Sequence, residues 1–217
     1  MSELSESGHL RTENPEHAVA LLRRAKVPGF VFPARNGWVS FVYPPGDETR
    51  FDLAQANEKV LVLYEYAADH GCWVTVYEGK KPITRLRAAF DRPNAAFDRR
   101  AFESRELLSP AGGAAIEAWL ARAHLAHERV RAPHLVAERL HLPRYRWFSF
   151  LAEQSSAQPD PQRIEVLANG TVKRPPKPVA PHVAVASAPK KTSTKKTAKK
   201  TAAKKKPKKK AARTAKR

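Results

Sequence analysis

Cysteine is almost missing from this chain: Cys72 is the only one in 217 residues. No internal disulfide is available, and a lone thiol fits a reducing compartment. Long apolar runs are missing as well. The longest, Val60 to Tyr64, has the length of a strand, far short of the roughly 20 residues that cross a bilayer. Residues 1–13 are polar and acidic and hold no apolar stretch, which argues against a secretory leader and predicts a disordered start. The chain also lacks a phosphate-loop glycine motif, a GxSxG elbow and any zinc-ligand spacing. These absences predict a soluble cytoplasmic protein with no membrane partner, no assigned catalytic residues, no metal and no cofactor.

Acid is the most unevenly distributed absence. The chain has 21 Asp and Glu, and none lies in 173–217, where 18 of its 40 Lys and Arg are found. The formal net charge of +19 therefore belongs to the C-terminal segment, and residues 1–172 are close to neutral. The size of that neutral part suits a single domain with a core of its own.

The elements of the body follow from capping and turn residues. Asn14-Pro15 predicts a helix start, with Asn as N-cap and Pro in the first turn. Ala18, Leu21, Leu22 and Ala25 continue at helical spacing until Pro28-Gly29. Phe30–Phe32 and Trp38–Tyr43 read as strands joined by the hairpin pair Asn36-Gly37. Three more strands are expected, over Lys59–Tyr66, Cys72–Tyr77 and Ile83–Phe90. Ser109-Pro110 starts a second helix despite Gly112 and Gly113, and Pro133 starts a third. Tyr145–Phe150 reads as a returning strand. The expected fold class is α+β, an antiparallel sheet of about five strands with one N-terminal helix and a C-terminal helical pair. Its expected bounds are 14–152. A Pro-rich linker is expected over 153–189, within which Arg163–Val172 forms either a small hairpin about Asn169-Gly170 or disordered chain.

Three groups in the body invite a chemical reading. His124 and His127, with Glu128, His134 and His141, have weak metal-ligand spacing, and solvated polar faces explain them better. Asp69, His70 and Cys72 could form a nucleophile pair, but they surround a glycine turn and read as turn chemistry. Arg144-Tyr145-Arg146-Trp147-Phe148 interleaves bases with aromatics as single-strand binders do, and half-buried strand alternation explains it equally. Arg85, Arg87, Arg92, Arg99 and Arg100 make the middle locally basic, offset by Asp91, Asp98, Glu103 and Glu106.

The C-terminal segment carries a sharper signal. Its bases are Lys190, Lys191, Lys195, Lys196, Lys199, Lys200, Lys204, Lys205, Lys206, Lys208, Lys209, Lys210, Arg213, Lys216 and Arg217. They are spaced by Ala and Thr, with no aromatic among them, so a disordered free tail is expected. Lysine is a hydrated point charge that suits phosphate backbones and not the reading of base edges. Its string KKTSTKKTAKKTAAKKKPKKKAARTAKR resembles the C-terminal tails of linker histones of the H1 type and of bacterial linker-histone-like nucleoid proteins, in its Lys pairs and its Lys-Pro-Lys-Lys step at 206–209. The resemblance covers the tail alone and implies nucleic-acid tethering or compaction. The expected function is a non-enzymatic nucleoid-associated protein that holds DNA without sequence preference and uses its body as an interaction module. RNA and polyphosphate fit the same chemistry. The competing class is an enzyme or regulatory domain that the tail merely localises.

Overall fold

In a computed structural model, residues 4–90, 94–123, 125 and 132–176 are described. They belong to one compact unit, Met1–Lys177. The basic segment 190–217, with every phosphate-binding residue expected above, lies outside the described residues, as do His124, His127 and Glu128.

The fold is α+β, with an antiparallel sheet of nine strands rather than five. The strands are β1 (Leu4–Arg11), β2 (Gly29–Val31), β3 (Trp38–Val42), β4 (Val60–Ala67), β5 (Gly71–Glu78), β6 (Lys81–Ala89), β7 (Asn94–Phe97), β8 (Ile164–Val166) and β9 (Val172–Lys173). Their order across the sheet is β7-β6-β5-β4-β1-β3-β2-β8-β9. Among the described residues six helices accompany them: α1 (Pro15–Ala25), α2 (Asp47–Ala56), α3 (Arg99–Glu103), α4 (Pro110–Leu120), α5 (Ala132–Arg139) and α6 (Phe150–Gln154).

Several local signals act as expected. Asn14 caps α1 by accepting from the Glu16 N–H, and Ser109 caps α4 by accepting from the Gly112 N–H. Asn36 and Gly37 both take positive φ, 54° and 80°, and join β2 to β3. The Asn169-Gly170 turn likewise closes a hairpin, β8–β9.

The largest correction concerns the start of the chain. Residues 1–13 are not a disordered lead: Leu4–Arg11 is a central strand, paired with β4 on one side and β3 on the other. Its polar residues are buried, with Ser5, Ser7 and His9 fully enclosed and Glu6 nearly so. Composition misleads here because neighbouring elements hydrogen-bond these groups. Gly8 explains why a strand this poor in side-chain volume sits at the centre. A Cβ placed there would lie 2.2 Å from Cζ of Phe41, so the Phe41 ring occupies the space that Gly8 leaves.

Two other boundaries move. Tyr145–Phe150 is not a strand. It is irregular chain leading into α6, and the Phe148 carbonyl accepts from the Glu6 N–H at 3.0 Å, completing a part of β1 beyond the reach of β3. The folded body also extends past 152. Ile164 and Val166 pack in the core with α1, so β8 and β9 extend the sheet within the stretch expected to be linker.

Helices cover the two faces of the sheet separately. On one, α3, α4 and α5 contribute Phe102, Ile116, Trp119 and Val136 to a core over Val62, Val74 and Leu86. On the other, Leu21, Leu22 and Leu53 from α1 and α2 close over Val39, Phe41, Leu61 and Leu63. Toward β5 and β6 this second face is only partly covered. Glu65, Trp73, Thr75 and Tyr77 are half-buried there, and Arg85 and Arg87 are exposed.

Candidate functional site

The partly covered face opens as a cleft of about 570 Å³ between α2 and strands β4–β6. That volume is within the range of small-ligand pockets. Alternation along the strands puts its side chains on one surface, as register confirms: Glu65 is opposite Trp73, Trp73 opposite Arg87, and Thr75 opposite Arg85. Phe51 of α2, Tyr77, Lys80 and Arg85 form more of the lining, and Tyr43 lies at the base.

One arginine organises the inner end. Arg50, one turn into α2, donates to Glu6 of β1 at 3.2 Å, to Glu65 of β4, and to Asp47 at 2.6 Å. The Glu6 carboxylate also accepts from the backbone of Gly46, at the N-terminus of α2, where no side chain caps the helix. A buried strand acid thus takes the capping place beside the positive end of the helix dipole. Burial pushes the Glu6 carboxyl up to about 7, against the pull of Arg50, and the nearby Glu65 adds to the rise. Burial disfavours the charged Arg50, but the hydrogen bond to Asp47 and the charges of Glu65 and Glu6 outweigh it and hold the guanidinium above its ordinary pKa.

Tyr43 is buried beside this cluster, and its hydroxyl has no hydrogen-bond partner among the described residues. Burial, then the Glu6 carboxylate, raise its pKa well above the usual phenol value. An unpaired buried hydroxyl costs about 1–3 kcal/mol. Of the cleft's buried side-chain polar atoms, it is the one that the described residues leave without a partner.

A second polar chain lies on the opposite face of β1. Ser7 Oγ is 3.0 Å from His9 Nε2, and His9 Nδ1 is 3.0 Å from Ser40 Oγ. Burial pushes the imidazole pKa down to about 3, so it is neutral at ordinary pH. Its full enclosure denies access to a substrate, and both ring nitrogens have hydroxyl partners. This is a structural link between β1 and β3.

The groups singled out from sequence fare differently. Cys72 is buried, and burial pushes its thiol up to about 12 despite a hydrogen bond with Tyr64, which makes it a poor nucleophile. Asp69 and His70 stand in the β4–β5 turn. His134 packs edge-on against Tyr145, and His141 takes a left-handed backbone after α5. Among the described residues no group of three His, Cys, Asp or Glu side chains could hold a metal. The Arg144–Phe148 run is divided: Arg144 covers the Phe32 ring and pairs with Asp160, and Phe148 packs on Phe32, whereas Arg146 and Trp147 are exposed.

Sequence reasoning missed Glu6, Tyr43, Arg50 and Glu65. A usable signal existed for Glu65, a lone acid inside the apolar run of β4. For Glu6 there was none, since its partner Arg50 is 44 residues away. The chain matches no protein-family model, no curated protein and no solved structure.

Proposed function

We propose that this protein is a non-enzymatic, nucleoid-associated protein of the cytoplasm that holds DNA through its basic C-terminal segment without sequence preference. The segregation of charge carries the reading. In 190–217 there are 15 Lys and Arg and no acid. The body supports it by contrast, because many of its arginines are already paired with carboxylates. Arg11 pairs with Glu106, Arg24 with Glu58, Arg99 with Glu103 and Glu117, and Arg163 with Glu153. The bases of the tail have no such partners in their own sequence neighbourhood, so phosphate is their natural counter-charge. No helix among the described residues is long and apolar enough to cross a membrane.

If about half of the tail bases neutralise phosphates, log K falls against log salt with a slope of about −7. The test compares the native chain with a full-length variant whose bases in 190–217 are all replaced by Gln. Duplex DNA of two unrelated sequences is titrated across a salt series. The native chain should bind both equally, with the steep slope, and the variant should lose that binding. Equal binding by the two proteins would show that the tail is not the tether. RNA and polyphosphate, used as competitors in the same series, rank the possible polyanions.

A further inference from the structure

We propose that the cleft between α2 and strands β4–β6 is a nucleotide-binding site, separate from the basic tail. It would take either a free nucleotide or one unpaired residue of a single strand. Two features of the cleft match two parts of that ligand. Phe51, Trp73 and Tyr77 line it with aromatic surface, and Phe51 is 61% exposed on an otherwise folded helix. Exposed aromatic faces beside a sheet suit base stacking. Lys80 and Arg85 stand at the same cleft with no carboxylate partner among the described residues, whereas Arg50 deeper in is held by three carboxylates. A phosphate therefore meets the outer pair and not Arg50. The Tyr43 hydroxyl is sealed beneath this lining and contacts no ligand in the cleft.

The ligand class follows from this combination. A purely apolar ligand would leave Lys80 and Arg85 unused. A bare phosphate would leave three rings unused. Duplex DNA presents its base edges in grooves and its stacking faces to other bases, so it cannot offer a ring to the cleft. The site stands on the cleft alone and holds even if the tail binds nothing.

The experiment uses the full-length chain with its 190–217 bases replaced by Gln, so that tail binding does not mask the cleft. Adenosine monophosphate, a single-stranded oligo-dA, the matching duplex and inorganic phosphate are titrated by calorimetry. Binding of the mononucleotide assigns a free nucleotide, and binding of the strand alone assigns an unpaired residue. The duplex and inorganic phosphate should bind at least tenfold more weakly. Lys80→Ala with Arg85→Ala should weaken binding by tenfold or more. Phe51→Ala separates function from folding, because the Phe51 ring is exposed and lines the cleft. Its Tm should hold while binding weakens about fivefold. Failure of both mononucleotide and strand to bind at millimolar concentration overturns the proposal. So does a Phe51→Ala chain that binds as well as its parent.

Discussion

The two faces of β1 bury polar groups to nearly the same degree and resolve them in opposite ways. On one face His9 is neutral and bridged by Ser7 and Ser40, with both nitrogens in hydrogen bonds. On the other, Glu6 keeps a carboxylate beside Arg50, with Glu65 and Asp47 on the same guanidinium. The first arrangement is closed and consists of small neutral groups, so it serves as structure. The second joins one cation to three acids at the edge of a cleft and leaves Tyr43 unsatisfied. Burial alone does not mark a site. Unequal charge at the edge of a solvent opening does.

The largest effect should come from breaking the charged face. Arg50→Ala takes the shared cation from Glu6, Glu65 and Asp47, and removing one partner of a buried pair costs about 3–5 kcal/mol. Because Arg50 is 27% exposed, the loss should fall near the lower end of that range. Glu6→Gln should suppress much of it, as denaturant unfolding of the two single variants and the double variant would show. A double variant as unstable as Arg50→Ala would place the cost elsewhere.

Next in size is Gly8, on the Glu6 face of β1. Gly8→Ala drives a methyl into the Phe41 ring, and overpacking of this kind costs about 1–3 kcal/mol. Phe41→Leu should partly rescue it. Rescue distinguishes the steric cause from a loss of strand pairing, which a smaller side chain at 41 would not restore.

pH sharpens the comparison, since the two groups shift in opposite directions. The folded Glu6 carboxyl titrates near 7 and its unfolded counterpart near 4.5. Between these values the folded state holds the extra proton, so this group's contribution to stability falls as pH rises. His9 titrates near 3 when folded and near 6.5 when unfolded. There the unfolded state holds the extra proton, so its contribution falls as pH drops below 6.5. Each slope approaches about 1.4 kcal/mol per pH unit, and they oppose each other between 4.5 and 6.5. These two groups should then give a plateau in that window. Glu6→Gln should expose the His9 slope as a loss of stability toward acid, measured as Tm against pH. A plateau that survives the substitution would contradict the assignment.

The smallest effect tests the rim of the same cluster. Asp47 also bonds Arg50, but its side chain is 98% exposed. Asp47→Ala should leave Tm unchanged within error, although the distance is the shortest of those given above for Arg50, because solvent screens an exposed pair.

How much was legible followed the range of the interaction. Asn14-Pro15, Asn36-Gly37 and Ser109-Pro110 act within a few residues of themselves, and each produces the cap or turn expected. By contrast α2 was missed. Its start offers Gly46 rather than a capping side chain, and only Leu53 and Ala54 are buried along it. The acid that accepts from the Gly46 backbone comes from β1, far away in sequence. The cleft was illegible for the same reason, because it is assembled from α2, β4, β5 and β6.

Sequence alone determined the charge division, the single thiol, the local caps and turns, and the meander of β4, β5 and β6. These depend on residue identity and short spacing. Tertiary structure decided that the polar Leu4–Arg11 segment is a central strand, that Ile164–Val166 extends the sheet, and that Glu6, Arg50 and Glu65 meet. A buried serine, histidine or glutamate is tolerable only when its partner is supplied, and here the partners come from distant strands and a helix. No local reading of residues 1–13 could contain them.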